Sequence, residues 1–201
     1  FRMLYGLKII NHAQWGSVCK EFIIPSQKLI LGLPETWERR QSFLKTSQRI
    51  IGADVKIFDG LRYTPGWMGC ALSYQFLAKK ALEANWARLE ISEDDVLVPP
   101  NYLQRKEKIN QWLEDNLDLW DVFSGLIAQV HPDTKILDVY EYAGEKLVVI
   151  DRMVSMVHNV YSEKSLKLLS EWSMKDDAAN NTIDRYLEGS KNLRVVVALP
   201  F

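Results

Sequence analysis

Three consecutive carboxylates, Glu93, Asp94 and Asp95, stand in the stretch "LEISEDDVLVPPNYL" between two apolar runs. Side by side, such groups raise one another's pKa values unless a positive charge compensates them. A divalent cation does this well. Mg²⁺ and Mn²⁺ prefer oxygen ligands, and Mg²⁺ is typically held by one or two carboxylates while substrate phosphates complete its shell. The pattern therefore suits a nucleotide diphosphate. The same acids would also serve as a solvated loop, or as favourable negative charge ahead of a helix opening near Pro99. Spacing alone admits both.

Other chemistry-bearing residues are sparse. Cys19 and Cys70 lie far apart without metal-site spacing, so a cysteine zinc site is not expected and a reduced, cytosolic setting is. His158 precedes "NVYS" in an apolar run and reads as a packed, hydrogen-bonded side chain rather than a ligand. His131, beside Pro132 and Asp133, reads as a loop residue, and His12 falls in an irregular N-terminal stretch. Most of the aromatic residues belong to a core. Trp67 is the one that could offer a sugar-stacking face.

Something must position these groups. The chain has 201 residues, 47% apolar and 25% charged, with a net charge of -1. That composition supports one domain with a real core and argues against nucleic acid, which needs clustered Lys and Arg. No apolar run approaches the ~20 residues of a membrane-spanning helix, and the first residues lack signal-peptide organisation. The chain begins at Phe1, which fits a piece of a longer protein. Residues 1–27 read as an arm or the tail of a preceding domain.

From Lys28 onward strands and helices alternate. "KLILGLP" is a strand, "ETWERRQSFLKTSQRI" a helix, and "ADVKIFDG" a strand ending in a turn. "GWMGCALSYQFLAKKALEANW" has helical apolar spacing at Met68, Ala71, Leu72, Phe76, Leu77 and Ala81, and "WARLEIS" then delivers the acids. A helix opening at Pro99 and Pro100 carries the stripe Tyr102, Ile109, Trp112 and Leu113. "LWDVFSG" is a buried strand. "KILDVYEY" and "KLVVIDR" flank Ala143-Gly144 as a hairpin, and "MVSMVHNVYS" is a further strand. "SEKSLKLLSEW" and "DAANNTIDRYLEG" read as helices, and "LRVVVALP" closes as a strand. This order predicts an α/β fold: a three-layer sandwich with a mostly parallel central sheet and a small antiparallel addition.

Four ordered blocks resemble glycosyltransferase family 25, the lipopolysaccharide-type galactosyl and glucosyl transferases. They are "LILGLPETWERRQSFLK", "VKIFDG", "GCALSYQFLAKKALE" and "LEISEDDVLVPPNYL", with weaker similarity at "VHNVYSEKSLKLL" and "TIDRYLE". The resemblance runs from about Lys28 to Phe201. It implies a GT-A-like domain over 28–201, a UDP-sugar donor carrying galactose or glucose, Mn²⁺ or Mg²⁺, and inverting transfer to a hydroxyl of a glycan, glycolipid or glycoprotein. Asp95 takes the place of the metal ligand. Glu93 and Asp94 would contact the donor or the metal through water, and Asp59 with Gly60 would lie by the nucleoside. Arg39 and Arg40 would neutralise phosphate, Gly69 and Ser73 would line the donor pocket, and Asp184 would be the catalytic base. Cys70, in the same block, reads as a small packed residue.

Three positions depart from the family pattern: Tyr74 stands for a His, Ser155-Met156 for Gly-Thr, and Thr182 for a Pro. They bear on acceptor specificity and leave a non-catalytic glycan-binding or scaffolding domain as one alternative. A sugar-phosphate nucleotidyltransferase is another, for which "GLPETWERR" is a poor phosphate loop. Either way the protein is expected in the cytoplasm, without a transmembrane segment, and able to meet a membrane surface through a partner, since family acceptors are often lipid-linked.

Overall fold

A computed structural model describes residues 22–46, 55–97, 99–153 and 155–200. Eight strands form one sheet: β1 (Lys28–Gly32), β2 (Lys56–Asp59), β3 (Arg88–Glu93), β4 (Val122–Ser124), β5 (Ile136–Tyr142), β6 (Glu145–Ile150), β7 (His158–Ser162) and β8 (Val195–Leu199). Their spatial order is β2-β1-β3-β7-β4-β8-β6-β5. Strands β2, β1, β3, β4, β8 and β5 run one way, and β7 and β6 run the other. The mostly parallel α/β sheet expected from the element order is therefore the one observed. The antiparallel part is an edge hairpin plus β7, which is inserted between β3 and β4.

Helices cover both faces. On one face lie α1 (Trp37–Thr46) and α3 (Tyr102–Asp115); on the other lie α2 (Gly66–Glu83), α4 (Glu163–Glu171), the short α5 (Ala178–Asn181) and α6 (Ile183–Glu188). Strand alternation sorts the core between them. Leu29, Leu31, Leu89, Ile91, Val195 and Val197 pack with Leu77, Leu166 and Leu187 from α2, α4 and α6. Ile30, Phe123, Val149, Val160 and Val196 face the other way, toward Phe43, Ile109, Trp112 and Leu113.

Local chemistry explains the boundaries. Helix α2 buries Met68, Ala71, Tyr74, Leu77, Ala78 and Ala81, a stripe at three- and four-residue spacing. It ends where Asn85 takes a φ of 55° and the Trp86 N–H donates back to the Ala81 carbonyl at 3.0 Å, a left-handed cap. The β5–β6 hairpin turns through Ala143 and Gly144, at φ 50° and 83°, the two positive values that a tight turn between twisted strands requires.

Two expectations are corrected. The strand expected over "MVSMVHNVYS" begins only at His158, because side chains claim the carbonyls before it. Tyr74 Oη donates to the Met156 carbonyl at 2.9 Å, and Asn159 Nδ2 to that of Ser155 at 2.9 Å. The single helix expected over "DAANNTIDRYLEG" is two. Thr182 is extended (φ -59°, ψ 153°), and the Trp172 indole N–H takes the Asn181 carbonyl at 3.0 Å instead of a helical N–H.

Of the arm expected over 1–27, residues 22–27 are described. Phe22 packs its ring against Phe58 and Phe76 with centroids 5.9 and 5.3 Å away, and Ile24 is buried in the core. His12 and Cys19 lie outside the described residues.

Candidate functional site

Chain order reverses at β1. The crossover through α1 leads to β2 on one side of β1, and the crossover through α2 returns to β3 on the other. The β1–α1 and β2–α2 loops therefore leave toward opposite faces of the sheet, and such divergence at the carboxyl ends of strands is where open α/β sheets form clefts. A cleft of about 560 Å³ opens there, between the β1–α1 loop, the β2–α2 loop and the acid turn after β3.

The three carboxylates have three different situations. Asp94 is buried: it accepts a hydrogen bond from Thr36 Oγ1 at 2.6 Å and pairs with Arg39 at 2.6 Å. Its N–H also donates to the Leu31 carbonyl at 3.1 Å. A Cβ on Gly32 would collide with its carboxylate, so glycine at the end of β1 is what lets the acid turn close against that strand. Asp94 thus fastens β3 to β1. Asp95 points outward, with its side chain 47% exposed and an Arg39 nitrogen 3.3 Å away. Glu93 is half-buried on the cleft wall. Burial, with Asp95 and Asp94 beside it and Asp184 adding to their effect, pushes its carboxyl up to about 7 against the pull of Arg39.

Arg39 and Arg40 are neighbours with opposite environments. Arg39 is half-exposed and lines the cleft. Arg40 is 2% exposed, pairs with buried Asp59 at 2.6 Å and donates to the Gly32 carbonyl at 2.7 Å. Arg40 and Asp59 together brace the floor beneath the cleft rather than line it. Gly60 does line it, and its N–H donates to the Gly32 carbonyl at 2.9 Å.

Gly69 and Ser73 shape the β2–α2 loop. A Cβ on Gly69 would come within 2.5 Å of the Leu61 carbonyl, so glycine lets α2 lie against that loop. Ser73 Oγ accepts from the Leu61 N–H at 2.7 Å and donates to the Gly69 carbonyl at 2.8 Å. Ser73 reaches the cleft lining and Gly69 supports it from behind. Cys70 also lines the cleft; burial, then the charges of Glu93 and Asp184, pushes its thiol up to about 12, which suits a packed thiol and not a nucleophile. Asp184, half-buried in the first turn of α6, does not line the cleft but lies close enough for its charge to raise Glu93 and Cys70. Trp67 packs against the core beside the cleft instead of facing into it.

Sequence reasoning missed Thr36, Gly32, Glu35, Arg62 and Tyr63. The signal for Gly32 was a glycine closing a buried strand. Arg62 and Tyr63 sit in a short loop before α2, and nothing in their spacing distinguishes them from surface residues.

On the opposite side of the acid turn, His158 is fully enclosed. Its Nδ1 lies 2.6 Å from Ser92 Oγ, Tyr102 Oη contacts its Nε2, and burial pushes its pKa down to about 4. His158 is thus a packed, hydrogen-bonded side chain.

The donor set fits a divalent ion only if a substrate helps. Among the described residues, no group of three or more His, Cys, Asp and Glu side chains is arranged to hold a metal by itself. Asp94 is engaged by Thr36 and Arg39, while Asp95 and Glu93 both line the cleft. Two carboxylates, one of them repelled by its neighbours, match a cation whose remaining ligands are phosphate oxygens and water. Among the described residues no helix is long and apolar enough to cross a membrane.

No family model and no curated protein matches this chain. Among solved structures, mannose-1-phosphate geranyltransferase from Thermus thermophilus is similar over 92% of this chain, with 12% identity and a TM-score of 0.42. The match spans 62% of that protein, so this chain covers less than two thirds of its length. No functional reading rests on a likeness of this size.

Proposed function

We propose that this chain is a metal-dependent glycosyltransferase, of the family 25 kind that its sequence blocks resemble. It would move a hexose, galactose or glucose, from a UDP-sugar to a hydroxyl of a glycan, glycolipid or glycoprotein, with inversion. The observation that carries this reading is the pairing of Asp95 and Glu93 on one wall of a cleft at the carboxyl ends of β1 and β3, with Arg39 beside them.

Asp95, with Glu93, would hold Mn²⁺ or Mg²⁺. A divalent ion there supplies Lewis-acid stabilisation of the charge gathering on the departing diphosphate. Arg39 adds fixed positive charge at the same place, and Gly60 and Ser73 shape the wall against which the nucleoside lies. Arg40, Asp59, Asp94 and Gly69 hold the loops that carry these groups. Inverting transfer needs a carboxylate to accept the proton of the acceptor hydroxyl as its oxygen bonds to the anomeric carbon, while the bond from that carbon to the diphosphate breaks. The resemblance offers Asp184 for that base; it stands beside the cleft rather than on its lining, so the acceptor would enter from the side of α6.

The test is equilibrium binding of UDP with Mn²⁺ and with EDTA. Metal-dependent binding is expected, weakened at least tenfold, about 1.4 kcal/mol, by Asp95→Ala. Absence of any metal-dependent nucleotide binding by the intact chain would sink the reading.

A further inference from the structure

The cleft has a second guanidinium, contributed by Arg62 from the β2–α2 loop. Arg62 Nε donates to Glu35 Oε1 at 2.7 Å, and its terminal amino group meets the other carboxylate oxygen, a bidentate pair. Glu35 comes from the β1–α1 loop and also lines the cleft, so the pair ties two cleft-forming loops together. Both side chains are substantially exposed, and Arg62 holds the Glu35 carboxyl below its usual range.

This pair differs from the ion pairs around the cleft that involve a buried carboxylate. Arg40–Asp59 is buried, and Arg39 is anchored to Asp94, itself buried and held by Thr36. Neither can be exchanged without exposing or stranding a buried charge. Arg62–Glu35 carries no such penalty, because an exposed pair contributes little stability and both partners can return to water. The fork of a guanidinium that fits a carboxylate bidentately fits a phosphate in the same way, and a diphosphate carries more charge.

We propose that Glu35 is an exchangeable placeholder, and that Arg62 leaves it to bind the phosphates of a nucleoside diphosphate entering the cleft. Resting on the nucleotide-sugar reading above, this adds a second phosphate ligand and a built-in competitor that sets donor affinity. The ion pair ties the two loops together at the cleft, and donor binding replaces the Glu35 carboxylate by a phosphate.

The experiment compares binding of UDP, UMP and uridine, each with Mn²⁺, to the intact chain and to Arg62→Gln and Glu35→Gln. Arg62→Gln is expected to weaken UDP about tenfold or more while leaving uridine unchanged, since a charge-assisted bidentate contact is lost only where a phosphate is present. Glu35→Gln is expected to tighten UDP a few-fold, about the worth of an exposed pair no longer competing. Equal weakening of UDP and uridine by Arg62→Gln would make the residue a prop for the loop and overturn the inference. So would weaker UDP binding in Glu35→Gln. If the unaltered chain binds no nucleotide, the glycosyltransferase reading falls first and this inference with it; if it binds UDP and both variants match it, this inference alone falls.

Discussion

Strand β3 carries acids toward both faces of the sheet, and the two faces treat them in opposite ways. Toward α3, buried Glu90 meets the ammonium of buried Lys106, which also lies 5.5 Å from the centroid of the Tyr102 ring. One residue pair further on, Ser92 meets His158, and His158 meets Tyr102. Each of these groups has a partner. Toward α2, Glu93 faces a cleft with like charges around it and a carboxyl pushed up to about 7. Strand geometry is the same on both faces, so the contrast is chemical: one row is neutralised residue by residue, and the other is only partly offset, by Arg39. Uncompensated charge in a cleft is the mark of a ligand site, whereas a paired charge is a structural element.

The largest test of this contrast is to break a pair on the closed face. Lys106→Met strands the buried Glu90 carboxylate and should cost about 3–5 kcal/mol in urea unfolding, with Lys106→Met/Glu90→Leu recovering most of it. If the single variant costs under ~1 kcal/mol, that face is not a structural network.

Titration distinguishes the two faces next. The carboxyl of Glu93 is raised in the folded protein, so the folded state binds the extra proton and stability falls as pH rises from about 4.5 to about 7. For His158 the folded value is depressed from 6.5 to about 4, so the unfolded state binds the extra proton and stability falls as pH drops across that interval. Each shift corresponds to about 3 kcal/mol at most, and the two oppose each other where their windows overlap. In EDTA, Glu93→Gln should expose a slope rising with pH between about 4 and 6.5, and His158→Gln a slope falling with pH between about 4.5 and 7. The smallest expected effect concerns Tyr74, which stands where the resemblance has a His. Tyr74→Phe removes one buried hydrogen bond to the Met156 carbonyl and should cost about 1 kcal/mol, without changing metal-dependent UDP binding. A loss of UDP binding in Tyr74→Phe would mean that the hydroxyl acts on the cleft.

Much of the fold was legible because periodicity reports burial. The stripe on α2, the short apolar runs of β1 and β8 and the Ala143-Gly144 turn can all be read along the chain. The split at Thr182 and the late start of β7 were hidden, because side chains outside those segments, Trp172 just upstream and Tyr74 far along the sequence, take backbone carbonyls there. At the site, the acid triplet stood out as a group, yet the division of labour within it did not. Asp94 is spent on Thr36 and Arg39, and only the packing of Gly32 against it explains why the middle acid turns inward. Arg39 and Arg40 likewise read as one basic pair, although helical rotation sends one into the cleft and the other beneath it.

By itself the sequence determined the α/β alternation, the strand that delivers three acids to its carboxyl end, and the Ala143-Gly144 turn. These depend on side-chain size, polarity and local backbone preference, which act over a few residues. The tertiary structure alone decided which charge finds a partner. Sheet order places antiparallel β7 beside β3 and brings His158 to Ser92 across 66 positions. It also brings the β1–α1 loop to Asp94 across 58 positions and leaves Glu93 facing the cleft. Electrostatic compensation is a property of neighbours in space, and long-range strand pairing determines who those neighbours are.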